Sequence, residues 1–184
     1  MTDLAALWHA EHVNFVRLLD LLEKQMAAFH AGEQPNYDLM LDVVHYLRHY
    51  PDQVHHRQED VAFARLLERD PAMKPQIDGL VQEHRVIAAA GDALLKHLVE
   101  VVAGTLEPRS IVEAAAATYL AYYRRHLDAE DREVIPCAAR LLTPEDWAAV
   151  AAAVPAQPDP VFGEDLEARY RSVRRQIALE ARSG

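Results

Sequence analysis

The sequence has a single cysteine, Cys137, which excludes an internal disulfide framework and a cysteine-rich metal knuckle. Glycine is also scarce, at 6 of 184 residues, and almost no segment alternates polar and apolar residues as a strand does. Positive charge is not in excess, because 19 lysines and arginines stand against 29 acidic residues. Binding to phosphate groups needs a cationic face, so this balance argues against nucleic acid and anionic membrane surfaces as partners.

Long hydrophobic runs are missing as well. No apolar segment reaches the roughly 20 residues that a membrane-spanning helix needs. The first residues, Met-Thr-Asp-Leu-Ala, lack the basic segment that opens a secretory signal. Both observations favour a cytoplasmic protein. With 51% hydrophobic residues, the chain is long enough to bury a substantial core.

Apolar residues recur with the helical period over most of the chain, which predicts an all-α protein. Long helices joined by short connections are typical of an up-down-up-down antiparallel four-helix bundle. We expect this bundle to occupy residues 1–142. The four expected helices cover residues 3–30, 37–69, 75–104 and 108–142.

Capping residues and prolines predict where these helices begin and where they are kinked. Thr2 is the expected N-cap of the first helix, because its hydroxyl can accept a hydrogen bond from a free backbone N–H. Pro51 and Pro136 lie inside the second and fourth helices. Proline removes a helical hydrogen bond, so each should kink or split its helix.

Residues 143–184 form a tail of different character. A short helix over 144–153 follows Thr143, and prolines 155, 158 and 160 then predict an extended linker. A last amphipathic helix is expected over 164–180. The tail has too few apolar residues for a core of its own, so we expect a C-terminal helical extension packed on the bundle.

One pair of motifs occurs twice in the same order. A Glu-His dipeptide at residues 11–12 recurs 72 residues later at 83–84. A His-x-x-x-Glu-Asp motif at 55–60 recurs 71 residues later at 126–131. The chain therefore contains two similar helical hairpins, and pairing them about a pseudo-twofold axis would bring six side chains together. These are His12, His55, Glu59, His84, His126 and Glu130.

This set of side chains has the chemistry of a metal site. A histidine and a glutamate four residues apart lie on one helix face. Four imidazoles and two carboxylates suit two first-row metals bridged by the carboxylates. Iron or manganese is favoured, and zinc is compatible. The alternative is a helical bundle with a buried His/Glu network and no metal, although burying six titratable groups unpaired is costly.

Two tyrosines precede His126 on the same helix. Tyr119 lies one heptad before it and Tyr122 one turn before it. Either hydroxyl could donate a hydrogen bond to a bound oxygen species or to a metal-bound carboxylate, or the rings could simply pack in the core. Gly91 replaces a large residue two turns from His84, and either leaves a channel for a small molecule or permits a close helix contact.

Other histidines are expected outside the ligand set. His9 lies one turn before a predicted ligand, but the repeat has valine there, which favours an exposed or supporting role. His56 adjoins His55 and, in a regular α-helix, points about 100° away from it. His45 and His49 are four residues apart and could form a secondary site, but a solvated helix face fits them better.

At these motifs the chain resembles the hemerythrin-like, HHE cation-binding family. The resemblance covers residues 1–142, and residues 159–163 of the tail also look like the C-terminal extension of bacterial members. It implies a four-helix bundle with a non-haem di-iron centre, whose two iron ions are bridged by an oxo or hydroxo group and two carboxylates. Family members carry oxygen, sense iron or oxygen, handle nitric oxide or peroxide, or repair iron–sulfur clusters.

The sequence departs from the oxygen carriers of this family. They have a further histidine one turn before the position of His84, where this chain has Leu80. The remaining four-histidine, two-glutamate set looks more like the repair and iron-sensing relatives. Oxygen carriers also use a carboxylate at the position of Asp131, whereas the internal repeat favours Glu130 as the ligand and Asp131 as its support.

Two functions are compatible with these observations. The first is a di-iron protein that binds or transforms oxygen, nitric oxide or peroxide. The alternative is an iron- or oxygen-responsive module without catalytic turnover, in which the acidic surface and the tail contact a protein partner. Enzymatic activity and the oligomeric state both stay open at this point.

Overall fold

The computed structural model describes residues 4–154, 157–164 and 166–182. These residues form helices and connecting turns, and none of them forms a strand. The all-α prediction is therefore confirmed for this part of the chain. The expected N-cap Thr2 and the first linker proline, Pro155, lie outside the described residues. None of the described helices combines the length and apolar character needed to cross a bilayer.

Two of the long helices are uninterrupted. Helix α1 spans Leu4–His30, and α4 spans Lys74–Val102 after a short 3-10 turn at Pro71–Met73. Two residues after the end of each helix lies a glycine with a positive φ, 77° for Gly32 and 76° for Gly104. This left-handed conformation terminates a helix, and glycine adopts it without the steric cost of a Cβ atom.

The second long element is divided by a π-helical turn. Helix α2 spans Tyr37–Tyr50, the π turn Pro51–His55, and α3 His56–Arg69. The expected disturbance at the proline is present, because its ring nitrogen has no hydrogen to donate to the preceding turn. The chain absorbs this defect by widening one turn and then continues as a helix.

The fourth long element repeats this construction. Helix α5 spans Arg109–Ala129, a second π turn spans Glu130–Val134, and α6 spans Ile135–Leu141. Pro136 lies in the first turn of α6, directly after the π turn. The first π turn ends at a predicted metal ligand, His55, and the second begins at another, Glu130. Turns of this kind occur frequently at functional sites.

The four long elements enclose a common core. Helix α1 packs against α2 and α5, and α4 packs against the same two helices. The buried apolar residues form two clusters, one around Phe15 and Ile87 and the other around Trp8 and Leu80. The metal ligands predicted on α1 and α4 lie between these clusters along each helix. A polar layer thus separates two apolar halves of the core.

The tail contacts the bundle at both of its helical parts. Helix α7 spans Pro144–Ala153, the range expected from the sequence, and packs against α3. A 3-10 turn at Ala168–Tyr170 precedes α8, Arg171–Glu180, so the last α-helix begins later than the expected residue 164. Tyr170 and Val173 are buried in the cluster around Phe15, which places this part of the tail on the bundle core.

Candidate metal centre

The six side chains of the duplicated motifs lie in the polar layer. His84 is 9% exposed, and each of the other five is exposed by 1% or less. They come from every long element of the bundle, so the layer exists only when these elements pack together. Its members are His12 on α1, His55 and Glu59 on the second element, His84 on α4, and His126 and Glu130 on the fourth element.

Glu59 lies between histidines of different hairpins. Its Oε1 atom is 3.1 Å from Nε2 of His55 and 3.6 Å from Nε2 of His12. Its Oε2 atom is 3.6 Å from Nε2 of His84. The two oxygens therefore face imidazoles on opposite sides of the carboxylate, which is how a carboxylate is placed to bridge two metal ions.

Glu130 occupies the equivalent position in the second hairpin. Its Oε2 atom is 3.3 Å from Nε2 of His126 and 3.5 Å from Nε2 of His12, and its Oε1 atom is 3.7 Å from Nε2 of His84. Both glutamates thus reach histidines from both hairpins. The two glutamates differ in detail, because Oε1 of Glu59 faces both histidines of its own hairpin, whereas Oε2 of Glu130 faces one histidine of each hairpin.

The candidate ligand atoms fall into two overlapping groups. Within each group all ligand atoms lie within 4.8 Å of one another. Glu59 belongs to both groups, so one carboxylate connects the two. The first group is His12, His55, Glu59 and Glu130, and the second is His56, Glu59, His84 and His126.

The presence of His56 in the second group corrects a sequence prediction. A regular α-helix would turn this side chain away from its neighbour His55, but it is only 3% exposed and its ring stacks on that of His84. The ring centroids are 4.2 Å apart. The π turn is the physical reason, because an extra residue in the turn allows two successive histidines to face the interior. Only Pro51 and the histidine doublet signalled this in the sequence.

A carboxylate lies beside the outer nitrogen, Nδ1, of each predicted histidine ligand. Such a carboxylate accepts a hydrogen bond from Nδ1, so that Nε2 is left with a lone pair for a metal. These carboxylates come from the same duplicated motifs. Nδ1 is hydrogen-bonded at 3.0 Å for His12 and Asp131 and at 2.6 Å for His55 and Glu11. The Nδ1-to-oxygen distances of 3.3 Å for His84 and Asp60 and 3.4 Å for His126 and Glu83 are ion-pair contacts without hydrogen-bond geometry.

The repeat explains which carboxylate serves which histidine. The glutamate of each Glu-His dipeptide supports the histidine of the partner helix in its own hairpin, as Glu11 does for His55. The aspartate after each glutamate ligand supports a histidine of the other hairpin, as Asp131 does for His12. Of these four carboxylates, Asp131 is the one that the sequence predicts as a support. The other three could have been found from their equal spacing in the repeat.

The carboxylates also determine the charge of the imidazoles. Burial alone would lower the pKa of His12, His55 and His84, but adjacent carboxylates outweigh it at all three. They raise the pKa of His12 to about 9, that of His55 to about 10 and that of His84 to about 11. Burial opposes ionisation of Glu59, yet the surrounding imidazoles, His55 above all, hold its pKa well below the usual range. The layer therefore pairs an anionic carboxylate with protonated imidazoles.

The donor atoms of the layer fit a pair of metal ions. Within the described ranges, both oxygens of Glu59, both oxygens of Glu130 and Nε2 of His84 and His126 are buried without a hydrogen bond of acceptable geometry. Buried polar atoms without partners are costly, so proteins normally satisfy them. Cations that accept nitrogen and oxygen donors would satisfy all of these atoms together.

The tyrosine prediction needs one correction. Tyr119 is buried as expected, but Tyr122 is 38% exposed and lies on the outer face of α5. The buried stripe of α5 runs through Tyr123 instead, three residues before His126, and the Tyr123 ring is 6.4 Å from that of His56. Burial, with nearby carboxylates, raises the pKa of Tyr123 well above its usual value, so its hydroxyl remains a hydrogen-bond donor.

The remaining histidines lie outside the layer. His9 is largely exposed, with Nδ1 3.1 Å from the carboxylate of Asp131. His45 and His49 stack on each other at 3.9 Å, and Nδ1 of His45 is 2.8 Å from the hydroxyl of Tyr170. Half-buried His45 thus contacts the tail instead of lying on a fully solvated face.

Gly91 provides a close contact and not an open channel. The aliphatic part of Arg48 on α2 crosses the helix surface at this glycine, and a Cβ atom there would collide with it. The guanidinium is held by Asp52 and Asp92, on the first π turn and α4. Of the two interpretations of the glycine, the structure therefore supports the close approach of helices.

The duplicated motifs lie in a region with a known family pattern. The model of the hemerythrin HHE cation-binding domain matches residues 3–138. The chain belongs to this family. No curated protein and no solved structure matches it significantly. The matched region of the HHE domain contains all six residues of the duplicated motifs, Tyr123 and His56, and ends before α7.

The supporting carboxylates of the HHE domain can be tested directly. We expect Asp131→Asn to weaken metal binding by about 10- to 100-fold, because an amide holds the His12 imidazole less firmly and makes it a poorer donor. The measurement is competition with a chromophoric chelator. Asp128→Asn is the matched control, since Asp128 lies three residues before Asp131 in the same long element and pairs with exposed Arg132. Equal affinities for the two variants would contradict the supporting role of Asp131.

Proposed function

We propose that this HHE domain holds a non-haem di-iron centre that binds or transforms a small ligand such as oxygen, nitric oxide or peroxide. The observation that carries the proposal is the position of Glu59 and Glu130, whose oxygens face histidines of both hairpins. The proposed metal ligands are His12, His55, Glu59, His84, His126 and Glu130. The proposed topology is an up-down-up-down four-helix bundle.

The protein residues have definite tasks in this proposal. The two glutamates and the four histidines would hold the metal ions, and the outer carboxylates orient the imidazoles. The apolar clusters above and below the layer keep bulk water away, which strengthens electrostatic interactions inside it. Tyr123 offers a buried hydroxyl beside the layer that can donate a hydrogen bond to a small ligand. Bound iron would supply redox chemistry and coordination positions that the protein does not fill.

A second function is supported by the origin of the ligands. The layer draws on all four long elements of the bundle, so metal binding and helix packing are coupled. The tail packs on the same helices, and α8 contacts α1 and α2. We propose as an alternative that the domain reports iron or oxygen to a protein partner without catalytic turnover.

Metal stoichiometry tests the centre itself. Purified apoprotein is loaded anaerobically with ferrous iron, excess metal is removed, and iron per chain is measured by mass spectrometry. We expect two iron ions per chain, and fewer for His84→Ala and Glu130→Ala. His30→Ala is the matched control, because His30 is an exposed histidine at the end of α1, outside the layer. A folded wild-type protein that binds one iron ion or none would overturn the proposal.

The same samples separate the two functions. Parallel loading with manganese and zinc shows whether the layer prefers iron. Addition of oxygen, nitric oxide or peroxide to the iron form is followed by visible absorption. Consumption of many equivalents of peroxide per chain supports transformation of the ligand, whereas a single stoichiometric change supports the sensing alternative.

A further inference from the structure

We infer that His56 is a fifth histidine ligand of the metal centre and makes the two metal positions unequal. This inference rests on the proposed di-iron function and deepens it. His56 belongs to the group that also contains Glu59, His84 and His126, in which all candidate ligand atoms lie within 4.8 Å of one another. It comes from the first residue of α3, directly after the π turn.

The surroundings of His56 match those of the other four histidines. Its Nδ1 atom is 2.9 Å from Oδ1 of Asp52, so Nδ1 donates a hydrogen to this carboxylate and Nε2 keeps its lone pair. The ring is oriented by an acidic neighbour outside the layer, as His12 is by Asp131 and His55 by Glu11. This combination is how metal-binding imidazoles are held in proteins.

The inner nitrogen of His56 points to a ligand. Nε2 is buried and has no hydrogen-bond partner in the part of the chain that the structure describes. If His56 served packing alone, an apolar ring could stack on His84 equally well. The unpaired nitrogen of His56 would then only destabilise the fold, because burying a polar atom without a partner is costly. A metal shared with His84 and His126 gives this atom a partner.

The support for His56 extends to the protein surface. The second oxygen of Asp52 accepts a hydrogen bond from Arg48, and the same guanidinium donates to Asp92 at 2.8 and 3.0 Å. These contacts fix Asp52 in position on the π turn. Gly91 is what allows the Arg48 side chain to cross α4 at this point. The absence of a Cβ atom at position 91 thus has a role in orienting His56.

His56 has no counterpart in the internal repeat. The residue 71 positions after it is Leu127, and the residue 71 positions after Asp52 is Tyr123. The repeat alone gives each metal position two histidines, with the glutamates between them. His56 adds a third histidine to the position of His84 and His126. This position then has three histidines and one glutamate, whereas the position of His12 and His55 has two histidines and two glutamates.

The same asymmetry accounts for Leu80. One turn before His84, α4 presents this leucine to the apolar cluster around Trp8, where it is 4% exposed. The imidazole that α4 does not provide at that position is supplied from α3 by His56. The chain therefore reaches a five-histidine set by a route that a comparison of single positions does not reveal.

The test compares His56→Leu with His49→Leu, a control that removes an exposed histidine from the end of α2. Cobalt(II) is used as the probe, because its visible spectrum reports the ligands, and affinities are measured by chelator competition. We expect the wild type and the control to bind two cobalt ions. In His56→Leu one ion should bind with unchanged affinity and the other at least about 100-fold more weakly, more than the loss of an outer partner normally produces.

Imidazole rescue distinguishes a ligand from a packing residue. In His56→Ala, added imidazole should restore affinity and spectrum at the weakened position, whereas a packing role predicts no response. If neither His56 variant folds, Asp52→Asn is measured against Asp78→Asn, which changes an exposed aspartate of α4 that pairs with Lys74. Only Asp52→Asn should weaken the binding of one ion, by about 10- to 100-fold. Two unchanged affinities in His56→Leu, or in Asp52→Asn in that case, would overturn the inference. A wild type without metal would instead overturn the proposed function.

Discussion

Loading the centre with ferrous iron is expected to raise the midpoint of thermal unfolding by roughly 15 to 30 °C. The reason is that the ligands are assembled only in the folded bundle, so metal binds the native state and not the unfolded chain. At a free metal concentration about 1,000 times Kd, each ion contributes about 4 kcal/mol. In a chain of this size, each kcal/mol corresponds to about 2–4 °C. Anaerobic calorimetry of the apo and loaded forms measures the shift.

The size of this shift should also depend on pH. Carboxylates raise the pKa of His12 to about 9, of His55 to about 10 and of His84 to about 11. A raised pKa stabilises the folded apoprotein fully below pH 6.5, and this stabilisation is lost as the pH rises through 9 to 11. Metal binds neutral imidazoles and must displace these protons. The stabilisation that bound metal gives to the folded state therefore increases with pH. The shift should be larger at pH 8 than at pH 6.

Removal and return of iron provide the control for this measurement. The midpoint should fall when a chelator removes the metal and recover when ferrous iron is added back. A midpoint that stays constant through this cycle would mean that the bundle does not couple metal to folding. That outcome would also remove the basis of the sensing alternative, because a sensor of this kind acts through such coupling.

The parts of the fold that follow local rules could be predicted from the sequence. Helix α1 carries an apolar seam and ends beside Gly32, so its end follows from residues close in the chain. Helix α7 begins with a Thr143 cap and a proline, and the structure contains the corresponding capping box. The duplicated motif led to six side chains that the structure places in one buried layer, because a repeated sequence adopts a repeated geometry.

The features that sequence reasoning missed depend on departures from regular helix geometry. His56 was assigned outside the ligand set because a regular α-helix separates adjacent residues by about 100°. The π turn at Pro51–His55 changes that rotation, and helical periodicity contains no signal for it. Tyr122 and Tyr123 are both about one turn before His126, and only the packing of α5 decides which is buried. These two errors have the same origin. Each prediction depends on how the helix is rotated about its axis, and packing decides that rotation.

Replacement of Glu59 by leucine is expected to abolish binding of both metal ions. Its two oxygens face His55 on one side and His84 on the other, and it belongs to both groups of candidate ligand atoms. His126→Leu is the matched comparison, because His126 belongs to only one group, and it should leave one ion bound. Metal per chain is measured at pH 8, and circular dichroism shows that each variant is folded.

The comparison of these two variants decides the nature of the centre. If Glu59→Leu and His126→Leu each retain one ion at wild-type affinity, the carboxylate is not shared and the layer holds two independent mononuclear sites. Loss of both ions in Glu59→Leu alone means that the two positions depend on a common ligand. Chemistry that needs two metals acting together is then available to this domain, because the shared carboxylate keeps them adjacent. The exposed Tyr122 would have no part in it, whereas Tyr123 would.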